Sequence, residues 1–440
     1  MSLKKSFLAG LTGLLFCAPL TADEFKASGY IEGELRYFPT SPIFDQQDSF
    51  FGSVAFEPEL YWASEDQRNS LTFQPFGRWD SSDGNRTHAD IREFFYLYAG
   101  DSWQLVAGVN KVFWGVTESA HLVDIVNQTD VVEAFNGEAK LGQPMISVGF
   151  EQEWGNLDLY VLPYFRTRRF ASGNERYQFS LPVLDEPLPF NYQKTVYESS
   201  QRQAHVDYAA RWANFYGDFD IAISAFNGTD REAIPILGTV DVVSIDPPVG
   251  VPKELSVYYQ QLTQVGLEMQ YVWEEWIFKF EGTQKWLGTG NYASFATGFE
   301  YTFNESLWGE DWGILVEYLW NNRKSVNIAG PSAQATGVPV PEDLASQAVI
   351  PGEFLSPFEN DIFVGTRFAL NDAGSTDFVA GFIRDLESHT MTFTFEGSTR
   401  IGDSVRLSAN VYLLSNVARD SSFFFSRKDD LVELKAAWYF

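Results

Sequence analysis

Few residues of this chain are equipped to do covalent chemistry. It has four histidines, His88, His121, His205 and His389, and one cysteine, Cys17. Nucleophilic catalysis needs a serine beside a histidine that a carboxylate orients. His205 stands two residues before Asp207, and His389 follows Ser388, but no Gly-x-Ser-x-Gly elbow occurs. The His-Glu-x-x-His pair of metal hydrolases is missing too. Isolated pairs of this kind arise readily by chance, so the chain reads as a non-enzyme that needs neither cofactor nor metal. A different grouping stands out by its charge. Glu118, His121, Asp124 and Asp130 share one segment, with Arg92 upstream. Charged groups gathered at a narrow aqueous passage sort solutes by sign and size, and these five residues are the candidate constriction of such a passage.

The elements that would hold them are strands. The 440 residues are 45% hydrophobic and 16% aromatic, with 39 Phe, 20 Tyr and 13 Trp. After residue 22 there is no run of about 20 apolar residues, the length a membrane helix needs. Apolar and polar residues instead alternate over runs of about 9 to 13, the span of a tilted strand crossing a bilayer. Thr390 to Glu396 and Val405 to Leu413 show the pattern clearly. About 18 such strands can be placed. The connections after even-numbered strands are tight, such as Gly100-Asp101 and Tyr216-Gly217. Those after odd-numbered strands are often long: 113–143, 168–202, 228–258, 323–359 and 416–429. A soluble sandwich has no reason to sort its loops by parity. A bacterial outer-membrane barrel does, with short periplasmic turns, long outer loops and an even strand number. The fold expected is all-β, a transmembrane antiparallel up-and-down barrel.

Both ends of the chain agree. Residues 1–22 begin with Lys4 and Lys5, continue through an apolar run and reach Leu20-Thr21-Ala22, the layout of a secretory signal peptide. Residues 23–440 then form a single barrel domain without cysteine, and the formal charge moves from -28 to about -30 as Lys4 and Lys5 leave. From Phe440 back to Val432 every second residue is apolar. With Trp438 and the terminal Phe440 this looks like the signal by which outer-membrane proteins are taken up for insertion, so insertion machinery and lipid with lipopolysaccharide are expected partners. The excess of 59 acidic over 31 basic residues speaks against nucleic acid.

If one face of each strand meets lipid, the other lines a lumen. Glu57, Glu59, Glu268 and Glu317 fall on that face with Arg211 and Arg367. Acids outnumber bases there, which predicts a preference for cations. The segment after the fifth strand is too apolar for water, since Val116, Leu122, Val123, Ile125 and Val126 all seek burial. It is expected to fold into the lumen, either as a constriction or as a brace of the wall with Asp124 and Asn127 capping short turns.

Arg92-Glu93-Phe94-Phe95-Tyr96-Leu97, the strand running from Val106 into Trp114-Gly115, and Asp124-x-x-Asn127-x-x-Asp130 together resemble uncharacterised proteobacterial outer-membrane barrels of porin-like type. Gln128 departs from that pattern, where proline is usual. The resemblance implies transport by a porin or exporter, in some relatives of hydrophobic or polysaccharide cargo. The expected function is a channel for small solutes. The alternative is a dedicated transporter of a hydrophobic or polymeric substrate, with Tyr96, Tyr98, Tyr160, Tyr164 and Tyr412 as a candidate aromatic slide.

One consequence can be checked directly. Mass spectrometry of the protein extracted from a bacterial outer-membrane fraction is expected to find an N-terminus at Asp23.

Overall fold

Strand residues point alternately to two sides, so a strand with one apolar side can form a wall between lipid and water. The computed structural model describes residues 23–134, 136–179, 187–245, 248–307, 309–340, 348–356, 358–419 and 421–440. The expected signal peptide 1–22 lies outside the described residues. Eighteen strands form one antiparallel wall. They are β1 (Glu24–Tyr37), β2 (Phe50–Ala63), β3 (Asn69–Asp80), β4 (His88–Ala99), β5 (Trp103–Asn110), β6 (Gln143–Gln152), β7 (Gly155–Leu162), β8 (Asp207–Tyr216) and β9 (Phe219–Thr229). The second half comprises β10 (Gln261–Trp273), β11 (Trp276–Leu287), β12 (Gly290–Leu307), β13 (Glu310–Asn321), β14 (Asn360–Ala369), β15 (Asp377–Asp385), β16 (Met391–Ile401), β17 (Val405–Ser415) and β18 (Leu431–Tyr439). Each pairs with its neighbour in sequence. β18 returns to β1, with Tyr439 opposite Tyr30 and Val432 opposite Tyr37. Closure removes the free edges, which is the condition for crossing a membrane with strands.

The strand number read from the alternation holds. β7 ends at Leu162, before the expected residue 167, because Pro163 has no N–H to give the ladder. The two faces separate sharply. Along β2, Ser53, Ala55 and Glu57 are 4%, 0% and 8% exposed, while Val54 and Phe56 between them are 50% and 47% exposed. The outward face is therefore apolar, and aromatic belts mark its two rims. Phe25, Trp154, Phe215, Trp273 and Trp438 project at the end that carries both termini, and Tyr37, Phe50, Trp79, Tyr208 and Trp286 at the other. Such an exterior suits lipid, and the wall spans a membrane. Turns at the terminal end are tight. Gly217, for example, takes the φ of +65° that a two-residue turn needs. The long connections 111–142, 163–206, 230–260, 322–359 and 416–430 all leave from the opposite end.

Two features depart from simple alternation. β4 carries an extra residue against β3: Gln74 faces Glu93 and Pro75 faces Ile91, which leaves Arg92 unpaired. This bulge shifts the pattern by one, so Arg92 turns inward and Tyr96 sits among the exposed aromatics outside. Tyr96 and its alternate neighbour Tyr98 therefore cannot serve the slide expected of them. The stretch read as plain loop 228–258 contains a hairpin, Ile234–Ile245 with Pro248–Tyr259, whose second strand pairs in parallel with Val196–Tyr197. Alternation alone does not say whether a strand joins the wall or stands above it.

The lipid-facing assignment has a direct test. Val54→Arg on the outer face is expected to destabilise the folded barrel by about 2–4 kcal/mol, read from reversible unfolding in lipid vesicles. An unchanged stability would place this face away from lipid.

Candidate functional site

Residues 111–142 fold inward, as their apolar content requires, and find their burial on the inner wall. Trp114, Val123, Ile125 and Val126 pack with Met145, Tyr160, Leu162, Ala209, Phe226 and Leu262 of β6 to β10. Ala120 and Leu122 pack with Ala296, Leu315, Leu319 and Phe363 of β12 to β14. This explains why β13 carries apolar residues on both faces at Ile314, Leu315, Val316 and Leu319, with Glu317 between the two inward leucines. Its outward residues meet lipid, and Leu315 and Leu319 meet the loop.

Apart from one antiparallel bridge between Thr129 and Lys140, the described part of this loop has no strand or helix, and its backbone N–H groups must find acceptors once buried. Three wall carboxylates supply them. Glu281 Oε1 accepts the N–H of Val116 (2.6 Å) and Thr117 (2.9 Å) and the Thr117 hydroxyl, while its Oε2 accepts Val123 N–H at 3.3 Å. Glu317 accepts the N–H of Glu118 and Ser119, each at 2.8 Å, and the Ser119 hydroxyl. Glu268 accepts Gly115 N–H at 3.2 Å while it grips Arg211 through both oxygens, each at 2.9 Å. Gly115 has a φ of +136°, and a Cβ there would lie 2.9 Å from the Glu281 carboxylate, so only glycine fits.

The returning limb is fixed from the other side of the barrel. Arg92 donates to Asp130 at 2.7 Å and Arg78 to Glu133 at 2.9 Å; Arg36 and Arg86 donate to the carbonyls of Glu133 and Val132. Asn127 clasps the two limbs together. It accepts Val112 N–H and donates to the carbonyls of Asn110 and Leu141, so it bridges limbs instead of capping a turn. The loop thus spans the lumen from β10–β14 to β1–β4.

Above the loop, the outer connections interlock. Arg176 of 163–206 is fully buried and reaches Asp429 at 2.8 Å and the carbonyls of Thr40 and Lys428. Ser172 donates to Asp83 at 2.6 Å, and Phe179 packs on Phe425. A segment that begins beside β7 therefore covers the mouth as far as β17 and β18.

Between the loop and the β1–β4 wall a cavity of about 400 Å³ remains. Arg78, Arg92, Lys111 and Lys140 line it together with Glu57, Glu133 and Glu138, beside Tyr30, Phe76 and Phe113. Of the five residues expected at a constriction, Arg92 lines this cavity. Glu118 instead pairs with Arg367 at 2.7 Å, and Asp130 is spent on Arg92. The side chain of Asp124 is sealed inside the loop, 3.1 Å from Lys140, away from the cavity. Burial pushes its carboxyl upward against the opposing pull of Lys140. His121 lies 3.4 Å from Glu138. Burial lowers its affinity for a proton, but Glu138, Glu281 and Asp124 together outweigh burial and the net shift is upward. Glu57 faces the cavity, accepting from Tyr30 and Gln74, and Glu59 is the next inward position of β2. Lys111, Phe113, Glu133, Glu138 and Lys140 went unmarked in the sequence. An aromatic beside a lysine just after a strand was the available signal.

The two histidine pairs do other work. His205 bonds Asp207 at 2.8 Å, and Asp207 also holds Arg231; the Ser388 hydroxyl goes to Asp385 and Thr390. Among the described residues no cluster of three or more His, Cys, Asp or Glu is placed to hold a metal.

No family model matches the sequence, and no curated protein is significantly similar to it. Among solved structures, mutants of the Rhodopseudomonas blastica porin align over 95% of this chain and 100% of theirs at 10% identity, with a TM-score of 0.42. OmpT, an outer membrane protein of Vibrio cholerae in its trimer form, aligns over 96% and 100% at 7% identity with a TM-score of 0.43.

Removing the main anchor is expected to free the loop. Glu281→Ala leaves the Val116 and Thr117 N–H groups without an acceptor, a cost of about 3 kcal/mol. Trypsin is then expected to cut at Lys111 or Lys140 in a barrel whose strand content by circular dichroism is unchanged. Equal resistance to cleavage would show that the apolar packing alone holds the loop.

Proposed function

We propose that this protein is an outer-membrane channel of porin type, passing small solutes through the gap between loop 111–142 and the β1–β4 wall. The observation that carries this reading is the roughly 400 Å³ of space left beside an inserted loop in a closed barrel. Eighteen strands enclose more room than their own side chains fill. Lipid surrounds the apolar exterior, lipopolysaccharide meets the outer rim, and β18, with Trp438 and Phe440, is the strand read by the insertion machinery. The reading involves no catalysis, cofactor or nucleic acid.

Small ions are expected to pass with a preference for cations. The inward bases are largely neutralised by acids: Arg36 by Glu34 and Glu433, Arg211 by Glu268, Lys279 by Glu300, and Arg367 by Glu118 and Glu300. Glu57, Glu317 and Glu396 are held by neutral N–H and O–H donors. Their charges therefore remain and favour cations along the lumen. A second reading, a dedicated transporter of a hydrophobic or polymeric substrate, draws support from the interlocked mouth, which would then open only for its cargo.

Planar-bilayer recording of the refolded chain separates the two. Discrete, steady conductance with a cation-directed reversal potential in a KCl gradient is expected, and Glu57→Gln should reduce that preference. A silent barrel would sink the open-channel reading and favour the gated transporter.

A further inference from the structure

An unpaired cation is out of place in a lumen whose bases are mostly matched to acids. Lys111, just after β5, lines the cavity; its charge is felt by Glu93, but among the described residues its ammonium has no carboxylate within 4 Å. Arg92 lines the same cavity. It uses Nη1 for both Asp130 and Asp90, which leaves Nε and Nη2 free of protein partners among the described residues. Its guanidinium sits over Phe76, with its carbon 4.1 Å from the ring centre, and this contact with its two ion pairs fixes the fork before any ligand arrives.

A second, independent observation lies two residues beyond Lys111. Among the described residues of loop 111–142, Trp114, Val123, Ile125, Val126 and Val132 are buried, but Phe113 is 56% exposed and lines the cavity. It is held in place edge-on by His121, with ring centres 4.7 Å apart. An aromatic ring kept in water inside a channel loses hydrophobic stabilisation, unless something apolar covers it part of the time.

We infer that Lys111, Arg92 and Phe113 form a binding site for a small organic carboxylate with an aromatic or apolar body. The carboxylate lies between the ammonium and the free edge of the guanidinium, and the body lies on Phe113. Charge-assisted hydrogen bonds of this kind are about twice as strong as neutral ones. The cavity is of the size that small-molecule sites occupy. The site rests on the channel reading and deepens it: small cations pass on the general field of the lumen, while carboxylates are drawn to one point of the passage. Net negative charge elsewhere keeps other anions out, so the local pair of bases acts as a filter for anions with an apolar part.

Benzoate is the probe, with benzamide and benzylamine as neutral and cationic compounds of matching shape. Calorimetry on the refolded full chain in detergent is expected to show benzoate binding in preference to both. Lys111→Gln should weaken it roughly tenfold, the loss of one charge-assisted bond. Lys111→Arg should restore most of the affinity, and Phe113→Ser should weaken benzoate binding while leaving acetate unaffected. In a planar bilayer, benzoate should interrupt the current briefly, and less often in Lys111→Gln. Equal binding of benzoate and benzamide, or benzoate binding indifferent to Lys111→Gln, overturns the site even if the barrel conducts. A barrel that binds benzoate through Lys111 but does not conduct supports the site and overturns the channel reading.

Discussion

The structure depends on a hydrogen-bonding problem. A long loop whose outgoing limb pairs with no strand lies inside a barrel, and each of its buried N–H groups must meet an acceptor. Glu281 and Glu317, with Glu268, answer this from the inner wall, together taking N–H groups from Gly115 through Ser119 and from Val123. A carboxylate suits the role because one group can receive several donors, and the bonds are stronger for its charge. The loop's course then decides where space remains beside the wall.

Packing and charge divide the labour around the lumen. The β6–β14 side holds the outgoing limb by apolar contact and carboxylates, and its inner face is accordingly apolar at Leu162, Phe226, Leu262, Leu315 and Leu319. The β1–β4 side holds the returning limb by arginines and keeps its distance, leaving the cavity. A wall made apolar throughout would draw the loop flat against it, and one made polar throughout would offer no burial for Val123 and Val126. The asymmetry sets the passage to one side.

The bulge at Arg92 shows how a single residue can set the lining of a cavity. By adding one position to β4 it turns a guanidinium inward at the cavity and sends the next aromatics to the lipid. Bulges serve this purpose generally: they re-aim a side chain without breaking the sheet. The interlocked outer connections add a second layer, with Arg176 as the buried pin between loops far apart in sequence.

Much of this was legible in the residues. A period of two sets which side chains meet lipid, and parity in the loop lengths sets which end is which, because both follow from local backbone geometry. The apolar run from Val116 to Val126 required burial, and a closed barrel offers that in its lumen. What the tertiary structure alone decided is where each charged group of the loop ends up. Asp124 and Glu118 have the same standing in the sequence as Glu138 and Lys111, yet the first is sealed against Lys140 and the second bound to Arg367, while the other two face the passage. No local rule separates them, since the difference lies in which distant partner, on a strand across the lumen, the fold brings within reach.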